Sequence, residues 1–382
     1  MIKIFETGDN HFGRKYDRYP EVREKLIQSR FDCLRDMVCQ AEKEKCDFFV
    51  VTGDLFDNVS SIKKSDIKSV IDILNGFSGR IIILPGNHDY YTGEEKLWNE
   101  FEKELSERDY NIVLLKEFKE YSFDAGDENV IFYPAYCHSK HSAENNLGWI
   151  KNMEIVSDEI YRVGIAHGAL KGITPDMNGE YFSMSESELE EIPMDVWLIG
   201  HTHIPYPSLS ENRESTGYRI YNAGTHEQTD LKNDTKGYGF VISIDYKDKD
   251  KNKIVSAHSY KSGQISYFDK ELKVFPDSDN VLRKSIKGVT DGIDEKKSVL
   301  RLRLKGSVRQ AEYEIKSDIY KELLGQVLAY EIDDDELSEE ITVEKIDAEF
   351  PEFGFAANLL KQLMDDPKEV QMAYNLLMEC KE

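Results

Sequence analysis

The sequence predicts an α/β protein with a layered core over residues 1–270, a small α+β domain over 271–345 and a helical segment over 346–382. Three observations carry this expectation. Short apolar runs of strand length alternate with amphipathic helical patterns through residues 1–245. A Pro, Asp, Ser and Asn-rich stretch at Pro276–Asn280 then marks a boundary region. Residues 355–377 carry apolar side chains at helical spacing. At 382 residues the chain is long for one core and comfortable for a main domain with one or two small ones.

Taken in order, the strand candidates are Ile2–Glu6, Phe48–Thr52, Arg80–Leu84, Val130–Tyr133, Val163–Ala166 and Val196–Ile199. Between the first two, Ile27, Phe31, Leu34, Val38 and Ala41 lie on one face of a long helix. A second helix follows Ser65 with Ile67, Val70, Ile71 and Leu74 inward, and a third covers Glu94 to Leu105. From Arg219 the texture becomes strand-like: Arg219–Asn222, Tyr238–Tyr246 and Ile254–Tyr260, the last two joined by a charged solvated turn at Lys247–Lys253. Val299 to Leu304 alternates Leu with Arg, which predicts a half-buried strand with a basic outer face. A helix is expected over Gln310–Ser317, and the acidic run Asp333–Glu340 reads as a solvated loop. At the C-terminal end Phe355, Leu359, Leu360 and Leu363 form one apolar face. Asp366 is placed to cap a last helix with Pro367 at its first position, and Val370, Tyr374 and Leu377 continue the apolar face.

Composition narrows the function classes. The formal charge is −24, which argues against broad nucleic-acid binding through Lys and Arg. It leaves room for a phosphate substrate held by metal ions, since bound cations invert the local field. No run approaches the roughly 18–20 apolar residues of a membrane helix, and the N-terminal residues lack the basic-then-apolar order of a leader. The five cysteines, Cys33, Cys39, Cys46, Cys137 and Cys380, are odd in number and lack metal-finger spacing. Free thiols in a reducing cytoplasm are the expectation.

Five segments carry chemistry: Asp9-Asn10-His11, Gly53-Asp54-Leu55-Phe56-Asp57, Gly86-Asn87-His88-Asp89, His167-Gly168 and Gly200-His201-Thr202-His203. Each sits at or just past the end of an expected strand, where α/β folds place their sites. Most of the nine histidines fall in them. Two divalent ions held close together need an anionic bridge and several O and N ligands each. Asp9 and His11 alternate by two, so both can face one side at a strand end, and His201 and His203 repeat the spacing. Asp54 follows a glycine that lets the backbone turn sharply. Asn87 offers a neutral oxygen and His167 a further imidazole. Such a mixed N/O set suits Mn²⁺, Fe or Zn²⁺ better than Mg²⁺ alone.

This ordered series resembles the signature of the calcineurin-like metallophosphoesterase superfamily. The resemblance implies a sandwich of two mixed sheets flanked by helices. It implies one ion held by Asp9, His11, Asp54 and His203, and a second held by Asp54, Asn87, His167 and His201, with Asp54 as bridge. His88 would be a catalytic residue that protonates the leaving oxygen. Asp89 would support catalysis by orienting His88 or its loop.

A narrower resemblance is to the SbcD-type DNA repair nucleases and the related YhaO-like proteins. It rests on Gly53-Asp54-Leu55-Phe56-Asp57, on Asp195 to Gly200 leading into His201, and on Asn222-Ala223-Gly224-Thr225 followed by Lys236 to Phe240. It implies a Mn²⁺-dependent DNA exonuclease or endonuclease subunit, a capping domain after the catalytic one, a homodimer, and C-terminal helices whose apolar faces either dock on an SMC-like ATPase of the SbcC type or pack on their own domain. Arg14, Lys15, Arg18, Arg301 and Arg303 are the candidate DNA contacts. A stand-alone phosphatase or phosphodiesterase acting on small molecules or phosphoproteins is the competing expectation, favoured by the net charge. His138, His141, His226 and His258 are expected to be structural.

Overall fold

A computed structural model describes residues 1–108, 110–153, 160–174, 178–247, 252–351 and 354–380. It divides into two compact units, Met1–Ile265 and Ser266–Glu382. The first unit contains β1 (Ile2–Thr7), α1 (Arg23–Lys43), β2 (Phe48–Val51), α2 (Lys64–Leu74), β3 (Arg80–Ile83), α3 (Lys96–Ser106) and β4 (Ile112–Leu114). It continues with β5 (Tyr121–Ala125), β6 (Glu128–Ala135), α4 (Gly148–Lys151), β7 (Tyr161–His167), α5 (Glu186–Glu190) and β8 (Val196–Gly200). Strands β9 (Ser215–Thr216), β10 (Ile220–Tyr221), β11 (Tyr238–Lys247) and β12 (Asn252–Lys261) complete it. Of the expected turn at Lys247–Lys253, residues 248–251 lie outside the described residues.

Two mixed sheets form the unit, ordered β4-β3-β2-β1-β11-β12-β9 and β10-β8-β7-β6-β5. Strands β1 to β4 run parallel, with β11 antiparallel to β1; β6, β7, β8 and β10 run parallel, with β5 antiparallel to β6. Alternation along each strand assigns its two faces. Ile4, Phe48, Val50 and Ile82 meet Phe132, Val163, Ile165 and Leu198 between the sheets. Phe5, Phe49, Val51, Ile81 and Ile83 point the other way, onto α1, α2 and α3. Trp197, Ala166 and Ile199 of the second sheet pack outward with Ile150 and Leu189 from α4 and α5. Strands buried on both faces read as continuous apolar runs, which is why β2 and β3 were legible without alternation. The helix–sheet–sheet–helix order agrees with the expected sandwich. Short β4, β5 and β9 were not anticipated, since none carries an apolar run long enough to register.

The second unit holds β13 (Ser266–Val274), α6 (Val281–Thr290), β14 (Ser298–Val308), α7 (Gln310–Glu314), α8 (Lys316–Leu324) and β15 (Ala329–Glu339). Three helices follow: α9 (Val343–Glu349), α10 (Phe355–Gln362) and α11 (Pro367–Glu379). The unit boundary precedes β13, so the 270/271 division read from sequence falls inside that strand. The strands form a parallel sheet in the order β13-β14-β15. Leu300, Leu302 and Leu304 bury one face against Leu282, Ile286, Ile319 and Leu324.

The acidic run at Asp333–Glu340 is not a loop: through Glu339 it is strand β15. Cross-strand charge explains it. The expected basic face of β14 is lined with acids, with Arg301 and Arg303 on Asp269, Arg303 also on Glu271, and Lys305 on Glu271 and Glu336. Opposite charges on neighbouring strands stabilise such pairing. In the C-terminal helices Ala357, Leu360 and Val370 are buried together, and Phe355, on the expected apolar face, is 80% exposed. Asp366 caps α11 by accepting from the amides of Lys368 and Glu369, ahead of Pro367, as the sequence predicts.

Candidate metal centre

The parallel strands end at one edge of the sandwich, and the five segments begin there. β1 ends at Thr7, β2 at Val51, β3 at Ile83, β7 at His167 and β8 at Gly200. The same-side presentation of Asp9 and His11 does not come from strand pleating, as the spacing suggested. Both lie beyond β1 in left-handed backbone, with φ 49° and 47°, as do Asp54 at 51° and His201 at 94°. The amides of Asp9 and His11 donate to the carbonyls of Gly53 and Asp54, laying one turn across the other. Non-glycine residues rarely adopt such φ, and their clustering marks a site that the surroundings hold in place.

The side chains converge. His11 Nε2 lies 3.1 Å from His203 Nε2 and 3.8 Å from Asp54 Oδ2. His203 Nε2 is 3.8 Å from Asp9 Oδ1, and the His201 amide donates to both Asp9 oxygens at 3.1 and 3.0 Å. His167 Nε2 is 3.0 Å from Asn87 Oδ1 and 3.5 Å from Asp54 Oδ2, and His201 Nδ1 is 2.9 Å from the same Asn87 oxygen. Three groups with ligand atoms within 4.8 Å of one another result: Asp9 with His11 and His203, Asp54 with His167 and His201, and His11 with Asp57 and His88 at the rim. All seven expected metal residues are thus brought together.

The chemistry of this donor set fits cations. His167 Nδ1 is 2.9 Å from the Thr52 carbonyl, which can only accept, so the ring proton sits on Nδ1. A neutral His167 then turns a bare Nε2 toward an amide oxygen and a carboxylate. Acceptors facing acceptors in a buried site need a proton or a metal ion between them. Without an ion, protons serve. Burial disfavours the charged imidazole of His167, but the Asp54 and Asp9 carboxylates outweigh it and raise its pKa to about 9. Burial, with Asp54 nearby, raises Asp9 to about 8. Burial opposes ionisation of Asp54, yet His167, His11 and His88 hold it below the usual carboxylate range. Burial keeps His11 and His203 low, suited to neutral ligation.

His88 is half-buried at the rim. Its Nδ1 donates to the Asp57 carbonyl at 3.1 Å, leaving Nε2 as the other ring nitrogen, and its amide donates to Asp54 Oδ1 at 2.8 Å. Asp89 is fully buried; burial, then Asp54, raises its pKa to about 7. It accepts from the amides of Gly86 and Phe56 at 2.6 and 3.0 Å, so it braces two loops rather than the His88 ring. Sequence reasoning quoted Asp57 but gave it no role. Its carboxylate lies 3.4 Å from His11 Nδ1 while its carbonyl holds His88. The signal was its place three residues after Asp54.

The candidate DNA contacts fare unevenly. Arg301 and Arg303 are paired with acids, and Arg14 lies 3.4 Å from Asp230. Lys15 and Arg18 are exposed beside the first motif. His226 is buried on the Arg30 carbonyl, His258 is 3.8 Å from Glu44 and His138 meets Asn146, consistent with structural roles. His141 is exposed beside the Tyr181 ring, which in turn lies against His201.

Comparison with known proteins follows the geometry. Residues 2–205, just over half of the chain, match the family model described as calcineurin-like phosphoesterase. The uncharacterized metallophosphoesterase YhaO of Bacillus subtilis (strain 168) is 25% identical over 181 residues, which is 47% of this chain and 42% of that protein. The chain thus matches less than half the length of this curated relative. Among solved structures, the calcineurin-like phosphoesterase YfkN from Bacillus subtilis aligns with TM-score 0.41 and 15% identity, over 68% of this chain and 89% of that one. A dimetal phosphatase from Danio rerio aligns with TM-score 0.35 and 14% identity, over 59% and 87%. On the family match and the motifs that converge within it, the chain belongs to the calcineurin-like phosphoesterase family of metal-dependent phosphoester hydrolases.

Proposed function

We propose that the chain is a DNA-directed phosphodiesterase, the nuclease subunit of an SbcCD-like complex. The observation that carries the metal-dependent part is the buried convergence of His167 Nε2 with Asn87 Oδ1 at 3.0 Å and Asp54 Oδ2 at 3.5 Å. Asp9, His11, Asp54 and His203 would hold one ion, and Asp54, Asn87, His167 and His201 the other, with Asp54 between. When bound, two divalent ions, Mn²⁺ in our reading, supply Lewis acidity to the phosphoryl group and the attacking water. The chain's own contribution is positional and acidic. His88, fixed through Nδ1 on the Asp57 carbonyl, would as imidazolium give its Nε2 proton to the departing oxygen. Asp89 keeps the Gly86–His88 loop against Phe56.

The DNA reading is supported by the SbcD-like flanking motifs around Asp54, His201 and Gly224. Lys15 and Arg18 are the cations it places on the substrate. The exposed Phe355, Met372 and Leu376 of α10 and α11 are offered to an SMC-like ATPase partner. The test is hydrolysis of double-stranded ends and single strands with added Mn²⁺, with His88→Ala as control, beside bis-aryl and mono-aryl phosphates. DNA cleavage lost in His88→Ala is the expected result. Activity confined to monoesters would rule the nuclease reading out.

A further inference from the structure

We infer that Arg30 is a positioning residue for the metal centre, its guanidinium fixing the left-handed turn that aims Asp9 and His11 at one ion. The inference rests on the two-metal reading above. Arg30 lies on α1 and is 1% exposed, and its Nε donates to the Asn10 carbonyl at 3.0 Å. Its Nη2 makes a second, short bond to the same oxygen. Nη1 donates to the Tyr16 hydroxyl at 3.2 Å.

Asn10 is the middle residue of the turn. Asp9 and His11 on either side are left-handed, as is Tyr16. Each such non-glycine conformation costs about 1–2 kcal/mol, so a loosened turn relaxes toward ordinary backbone. That relaxation would rotate the peptides flanking Asn10 and swing both ligand side chains. The Asp9 carbonyl is already held by Thr225 Oγ1 at 3.0 Å, and the amides by Gly53 and Asp54. Arg30 secures the Asn10 carbonyl.

A purely structural helix position does not need this residue. Burying a guanidinium costs several kcal/mol, and a Met or Leu would fill the space more cheaply. The planar fork places two N–H groups on one oxygen and a third on Tyr16, which the point charge of a lysine does not reproduce.

The experiment uses the full-length chain as wild type, Arg30→Met and Arg30→Lys. Each is titrated with Mn²⁺ alone, free ion is followed by electron paramagnetic resonance, and the same samples are melted. Wild type is expected to bind two ions. In Arg30→Met one ion weakens by about 10–100-fold, the range for losing a group that orients metal ligands. The other ion keeps its affinity. Arg30→Lys retains charge and stem, and is expected to fold and show a smaller loss at the same ion; it keeps the test decisive if Arg30→Met does not fold. Unchanged affinity for both ions in Arg30→Lys, or equal weakening of both in step with the melting temperature, overturns the inference. Wild type that binds no pair of ions refutes the metal reading itself, and this inference with it.

Discussion

Asp9, His11, Asp54 and His201 reach the site from backbone that L-residues avoid, and two glycines make room around them. A Cβ on Gly53 would lie 2.1 Å from His167 Nδ1, and one on Gly86 would lie 2.2 Å from Asp54 Oδ1. Gly53→Ala should therefore displace His167 and cost about 1–3 kcal/mol of stability, with metal content by elemental analysis falling alongside the melting temperature. Asp54→Ala is expected to lose both ions, since it removes the shared ligand. His88→Ala is expected to lower turnover by about 10²–10⁴-fold, the usual worth of a general acid, while metal content stays near wild type; a variant stripped of metal would reassign His88 as a ligand. The identities of the ligands were legible because Asp, Asn and His recur after strand ends. How they face one side was not legible: spacing by two suggested a pleat, and the answer is a turn whose restraints come from Gly53, Asp54, Thr225 and Arg30. None of those partners is local to Asp9.

Among the elements, α6 shows how a remote residue can finish what its own sequence lacks. Asn280 precedes the helix in left-handed backbone and offers no side-chain cap. Glu312, nearly buried, accepts instead from the amides of Val281 and Leu282 at 3.0 and 3.1 Å. Glu312→Ala should cost about 1–2 kcal/mol, as loss of a cap does, measured as a lower urea midpoint, and Glu312→Gln should recover part of it. The same non-locality hid β15. Its acids look like a solvated loop until Lys305 and the rest of β14 are laid beside them. By contrast, α1, α2, β2 and β3 were legible because their faces meet large apolar surfaces, and periodicity reports such burial directly.

At the scale of the molecule, charge is the governing quantity. Glu6 lies in β1 on the face that carries Ile2 and Ile4 between the sheets, and it is fully buried. Burial raises its pKa well above the usual carboxylate range, and the Asp9 carboxylate adds to this. The folded state then binds a proton that the unfolded chain releases above its ordinary pKa near 4.5. Stability therefore falls as pH rises through and above that value. Glu6→Gln should raise the melting temperature at pH 7 and change it little at pH 4; an equal shift at both values would refute this account. Of the five candidate DNA contacts, Arg14, Arg301 and Arg303 already lie beside carboxylates. DNA affinity should accordingly fall only gently with salt, with a log–log slope of magnitude below about 3 for three or fewer phosphate contacts. A steep slope measured by fluorescence anisotropy would point to a basic surface elsewhere.

The buried carboxylate of Glu227 adds a rule for dissecting the chain. It accepts from Ser29 Oγ at 2.5 Å and from the amides of Gln264 and Ile265 at 3.0 and 2.9 Å. A fragment cut after Ile265 keeps donors and acceptor together, whereas one cut after Tyr260 deprives the Glu227 carboxyl of those two amides. Truncations a few residues apart should thus differ sharply in soluble yield, with the longer piece serving as the expressible catalytic fragment.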